Sequence, residues 1–286
     1  MSINMAKIYN APRGFLSAAS NTIDVDYLKL AYAQAVFIKI FQQKVVNYAI
    51  IVDRETAKNI TPHMRFVFDR IIEVDRWNFE DEWQVRNLSP WQETIKLDAD
   101  MIITQDISHW WDILRNINDV VLPVKTYDIE DKLITNTIHR PYYKEMYLPL
   151  TYTALYYFRD SVYSANFFDA VKQISESLPT WFTDKFPSPG DDEYFSLIAS
   201  LPEWRDTHRP IGDIPSFTHV RPELCGLSSD ETLPNQRTIH MDWNNGLLWI
   251  GPNPQFRPVH DTTKSIVDSI DINVIDEELT KRFNNE

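Results

Sequence analysis

The 286-residue chain holds a single cysteine, Cys225, and six glycines. One cysteine excludes an internal disulfide framework and a paired-cysteine zinc motif, and makes a reducing compartment the simpler expectation. With so few glycines there is no Gly-x-Gly-x-x-Gly, no P-loop and no Gly-x-Ser-x-Gly elbow, so kinase and dehydrogenase readings lack their phosphate cradles. Long apolar runs are missing too. The segment LKLAYAQAVFIKIF is interrupted by Gln34 and Lys39 before membrane-spanning length, and the N-terminal MSINMAKIYNAPRG has no apolar signal-peptide core. No membrane contact and a cytoplasmic location are therefore expected. Positive charge is also short: 28 Lys and Arg face 41 Asp and Glu, a formal charge of -13. The average field repels a long phosphate backbone, which argues against a broad nucleic-acid groove and leaves a local basic patch open. Six of the acids lie between Asp268 and Glu286, where a solvated terminal helix is expected.

What is present, 43% apolar and 24% charged residues with nine Trp and thirteen Tyr, is the composition of a soluble globular protein with a sizeable core. AKIYNAP reads as a first strand stopped by Pro12, with Gly14 turning the backbone beside a ligand. An apolar helical stripe runs from Asp26 to Gln43, and VNYAIIVD follows as a buried strand ending at Asp53. A helix over Thr61–Phe68, with Pro62 in its first turn, precedes RIIEVD, which ends at Asp75; ETIKLDADMII supplies the next strand. This alternation predicts an α/β fold with a largely parallel sheet, whose ligands bind beyond the carboxyl ends of the strands. ISHWWDILRNI suits a helix capped by Asp106 or Ser108, and DVVLPVK returns as strand. The second half is mixed: LPLTYTALYYFR as one or two strands, then SANFFDAVKQISESL and GDDEYFSLIASL as helices. One domain over 1–265 is expected, with halves of about 1–110 and 111–265, followed by an acidic tail over 266–286.

Within ETIKLDADMII, Asp98 and Asp100 interrupt an apolar pattern in which unpaired charges are costly. Two acids one residue apart share a strand face and can converge on one hard cation such as Mg2+ or Mn2+, alongside the oxygens of a diphosphate. The competing explanation is that they pair with Lys or Arg. Asp24 and Asp26 have the same spacing but precede a helical pattern and read as caps.

The segment LSPWQETIKLDADMIITQDISHWWDIL resembles the centre of a GT-A glycosyltransferase, where a strand delivers an Asp-x-Asp that binds the metal of a nucleotide-sugar diphosphate. The order of elements around it is similar over about residues 5–260. The resemblance implies a GT-A-like, Rossmann-related mixed sheet and transfer of a sugar from a nucleotide-sugar donor, a UDP-sugar, to an acceptor hydroxyl. It implies Asp98 near the ribose and Asp100 on the metal. Asp53 and the NAPRG turn with Arg13 match the nucleotide contacts, although either side chain could instead make a surface salt bridge. SPGDDEYFSL puts Asp191, Asp192 and Glu193 at a helix start, where acids are favoured in any case. The resemblance makes Asp192, then Asp191, the general base of an inverting enzyme or the sugar-orienting acid of a retaining one.

By the same resemblance His219, followed by Arg221, Pro222 and Gly226, is the third metal ligand, with His260 in reserve and His240 a further candidate. Arg221, Arg257 and Lys264 could contact the diphosphate. HRPYYKEMY, residues 139–147, could stack an acceptor or pack its tyrosines on the core. More loosely, the wording of the central segment is similar to glycosyltransferases of T4-type tailed phages that modify hydroxymethylcytosine in DNA, which implies that acceptor and the host cytoplasm. A glycan or protein hydroxyl, a non-catalytic nucleotide- or sugar-binding protein, and a metal-dependent phosphohydrolase are the alternatives.

Overall fold

The computed structural model describes residues 11–43, 46–135, 140–186, 188–221, 239–264, 266–267 and 272–283. Asn10, His139, Pro222, Cys225 and Gly226 lie outside this set. A six-stranded sheet has the order β3 (Arg70–Val74), β2 (Tyr48–Asp53), β1 (Ala11–Ala19), β4 (Trp91–Asp98), β8 (Leu155–Arg159), β6 (Val120–Val121). The first four strands are mutually parallel; β8 runs against β4 and β6. Every residue of β2 is buried, which explains its uninterrupted apolar run: both faces of the sheet are covered. On one face lies α1 (Tyr27–Phe41), with Asp26 accepting from Lys29 N at its start.

A second sheet of four strands, β5 (Met101–Ile102), β13 (Val259–Asp261), β9 (Ser216–Val220) and β7 (Lys125–Tyr127), brings the far part of the chain back beside the end of β4. The acidic tail contains a helix, Ile272–Phe283, but it is not a freely solvated one. It packs on α1, with Ile275 buried and Asp276 accepting from Tyr32 Oη at 2.5 Å. No described helix is long and apolar enough to cross a membrane.

The start of β1 corrects the sequence reading. The described strand is Ala11–Ala19, and Gly14 lies inside it rather than in a turn. Pro12, the second residue of the strand, falls at the one gap in the β1–β4 register between Ala11 and Ala18, where its missing N–H is tolerated. Gly14 is required by packing: a Cβ there would stand 2.6 Å from Trp91 Nε1 and 2.8 Å from the Asn47 carbonyl. Gly14→Ala is expected to destabilise the fold by about 1–3 kcal/mol through overpacking. An unchanged urea midpoint would refute that.

A candidate metal and donor site

Strand order reverses between β1 and β4, and there, beyond their carboxyl ends, a cavity of ≈ 540 Å³ opens. Ala18 and Asp98 face each other across the two strand ends. β4 stops at Asp98, and Ala99–Asp100 form a turn into β5, so it is this turn, not strand alternation alone, that brings the two carboxylates together. The turn is held from behind by the core. Gln34 of α1 donates to the carbonyls of Asp98 at 2.6 Å and Met101 at 2.7 Å, and itself accepts from Tyr48 Oη at 2.7 Å.

β13 pairs antiparallel with β5, placing His260 opposite Met101. His260 Nε2 lies 3.3 Å from Asp100 Oδ1 and 3.7 Å from Asp98 Oδ2, and ligand atoms of all three residues fall within 4.8 Å of one another. The remaining oxygen of each acid meets a lysine: Lys264 Nζ is 3.0 Å from Asp100 Oδ2, and Lys96 Nζ is 2.6 Å from Asp98 Oδ1. Each acid thus pairs with a lysine through one oxygen and turns the other toward His260.

Burial opposes ionisation of Asp100, but His260 and Lys264 outweigh it and hold the carboxyl well below the usual carboxylate range. Burial likewise opposes charging His260, and Asp100 and then Asp98 override it, raising the imidazole above its ordinary value. A positive charge is thus stabilised between the two acids. Two carboxylate oxygens and one imidazole nitrogen aimed at a common point are also a donor set suited to Mn2+ or Mg2+, so the residues fit a divalent ion.

On the other side of Asp98, the buried Lys96 bridges to Glu82 at 2.6 Å and donates to the Thr153 carbonyl at 3.2 Å. Burial disfavours its charge, yet Asp98, Glu82 and Asp191 raise its pKa. Asp191, in the first turn of α9 (Asp191–Ala199), lines the cavity and accepts from Thr153 Oγ1 at 2.8 Å. Burial, reinforced by the neighbouring charges of Asp192, Glu82 and Asp98, pushes its carboxyl well up.

The other expected site residues are distributed as follows. Asp192, placed ahead of Asp191 from sequence, turns away from the cavity lining to Arg140, Thr153 N at 2.6 Å and Thr153 Oγ1 at 2.9 Å. Asp53 caps the short helix α2 (Arg54–Ala57), accepting from Glu55 N and Thr56 N at 2.9 and 2.8 Å. It also accepts from Ser20 Oγ, which lines the cavity, so its link to the site is indirect. Burial opposes the charge of Asp53, but the bonds from Ser20 and Thr56 win and lower its pKa.

Arg13 precedes Ala18 by five strand residues, roughly 16 Å of rise, and stacks over Trp111 at 5.5 Å rather than lining the cavity. The described part of the NAPRG stretch, Ala11–Gly14, is thus strand rather than turn, and the chain reaches the cavity at Ser20 and Thr22. His219 is buried behind His260, ring centroids 5.0 Å apart, and the histidine in the acid cluster is His260. Arg221 follows the last residue of β9 outside the lining, and Arg257 pairs with Asp131 and stacks on Tyr127 at 3.7 Å, also outside it. Lys264 does line it. His240 stands exposed on β10 (Ile239–Asp242). In the 140–147 stretch, Tyr143 packs into the core while Tyr142 and Tyr147 are exposed, so core packing and surface display are both realised.

No protein-family model matches this chain, and no curated protein matches it. Solved structures do. Mouse xyloside xylosyltransferase 1, in its apo form, superposes with a TM-score of 0.53 at 10% identity, covering 89% of this chain and 99% of that one. The galactosyltransferase LgtC, in complex with donor and acceptor sugar analogs, gives 0.51 at 10% identity over 94% and 95% of the two chains. At that identity the likeness defines the fold. It is the mixed α/β fold, with a largely parallel central sheet, of GT-A glycosyltransferases.

Proposed function

We propose that the chain is a metal-dependent glycosyltransferase, with residues 1–265 acting as one catalytic unit that moves a sugar from a nucleotide-sugar donor to an acceptor hydroxyl. The observation that carries this is the cluster of Asp98, Asp100 and His260 at the mouth of a cavity on the switch point of the sheet. These three residues would hold Mn2+ or Mg2+, and the bound ion would neutralise the charge of the departing diphosphate. Lys264 adds a fixed positive charge on the Asp100 side, beside the ring of Tyr27 at 5.7 Å, a surface for a nucleobase. Asp191 is the acid facing the sugar and the acceptor. Asp192 is a positioning residue, fastening the start of α9 to Thr153 and Arg140.

The charge of -13 favours a glycan or protein hydroxyl as acceptor, while hydroxymethylcytosine in DNA rests on the wording of the central segment. Incubation with UDP- and GDP-sugars and Mn2+ is expected to release nucleoside diphosphate slowly, with none in chelator. Hydroxymethylated oligonucleotides and simple glycosides as added acceptors would show which hydroxyl accelerates it. Release of inorganic phosphate would indicate a phosphohydrolase. Neither release nor thermal stabilisation by any nucleoside diphosphate with Mn2+ would overturn the proposal.

A further inference from the structure

Contacts divide the cavity into two arms about the acid pair. One arm runs from Asp100 through Lys264 to Tyr27; the other runs from Asp98 through Lys96 to Glu82, with Asp191 joined to Lys96 through Thr153. A nucleotide-sugar is linear in the same sense, with its diphosphate in the middle. Taking the glycosyltransferase reading as given, the aromatic and cationic arm suits the nucleoside, which leaves Lys96, Glu82 and Asp191 to face the sugar.

The chemistry of that second arm is selective. An ammonium has three N–H donors, and those of Lys96 meet Asp98 Oδ1 at 2.6 Å, Glu82 Oε1 at 2.6 Å and the Thr153 carbonyl at 3.2 Å. None remains for a ligand. Glu82 Oε1 also accepts from Tyr156 Oη at 2.7 Å, while its second oxygen has no hydrogen-bond partner among the described residues and can accept from a sugar hydroxyl. Asp191 supplies no positive charge in either protonation state. Trp77, in the same β3–β4 connection as Glu82, adds an apolar wall for the face of a pyranose. A carboxylate carried into this arm would lose water, meet acids and find no available cation, an arrangement that discriminates by leaving a buried charge unpaired.

We infer that the donor sugar is one without a carboxylate: the wall made by Glu82, Lys96 and Asp191 accepts neutral sugars and rejects uronates. Glu82 is then a specificity-determining residue of the same site. The test compares donors that differ at C6 alone, UDP-glucose against UDP-glucuronate and GDP-mannose against GDP-mannuronate, titrated with Mn2+ by calorimetry. The neutral donor is expected to bind on the order of tenfold or more tighter than its uronate, and Glu82→Gln is expected to narrow the gap without weakening UDP or GDP themselves. Equal binding of the two members of a pair by the wild-type protein overturns the inference, whatever the variant's folding. Failure of UDP and GDP to bind at all overturns the donor reading beneath it as well, which keeps the two failures distinguishable.

Discussion

Asp100→Ala is expected to lower metal-dependent release of nucleoside diphosphate by about 10²- to 10³-fold, with stabilisation by Mn2+ and nucleotide lost in parallel. Asp100 carries this effect because it is the most enclosed member of the cluster, 6% exposed, and shares its oxygens between His260 and Lys264. Removing it deletes one metal donor and also frees Lys264 from the geometry that points it into the cavity. Asp24→Ala is the matched control: it sits in an Asp-x-Asp of the same spacing, is exposed and does not line the cavity, and its one contact with a lining residue, the backbone N–H to Thr22 Oγ1, survives the substitution, so release should be unchanged. If Asp100→Ala still released nucleoside diphosphate at the wild-type rate with Mn2+, the metal role assigned to the cluster would be wrong.

Lys96→Met should produce the largest stability loss of the substitutions considered. It would leave Glu82, whose side chain is 5% exposed, without its cationic partner inside the fold, and breaking such a pair costs about 3–5 kcal/mol. Removing both charges is a different matter. Lys96→Met combined with Glu82→Leu takes away the uncompensated carboxylate and should recover most of the loss. Urea unfolding of the wild type and both variants checks this. A single variant as stable as the wild type, or a double variant additive in its losses, would sink the account of Lys96 as a charge held in place by its two acids.

The α/β alternation was legible because β2 and β4 are apolar segments buried along nearly their whole length, and because helical patterns precede β2 and the edge strand β3. β1 was misjudged because Pro12 and Gly14 look like turn chemistry, whereas one falls at a gap in the β4 pairing and the other makes room for Trp91. The acid pair stood out because charges do not belong in a buried strand. Lys96 carries the same signal, two residues before Asp98 between Ile95 and Leu97 and therefore on the face of Asp98, but a lone lysine reads as a surface residue. His260 could not be chosen over His219 from sequence. Its place depends on a two-residue pairing with β5, a long-range contact with no local signature. Nor could Asp191 be set before Asp192, since neighbours on a helix point about 100° apart and the sequence does not say which faces inward. Gln34 looked like a mere interruption of an apolar run, yet its amide is what grips the Asp98–Met101 turn.

The cluster spans a seam. Asp98 ends a strand of the six-stranded sheet, while His260 belongs to a strand of the four-stranded one, and Asp100 lies in the turn of chain that passes from one to the other. A sideways slip of either layer by a single residue would carry the imidazole out of reach of both acids, so the spacing of these three groups is a gauge of how the layers are docked. Coordination competence is in this sense a property of the assembled architecture rather than of any one segment.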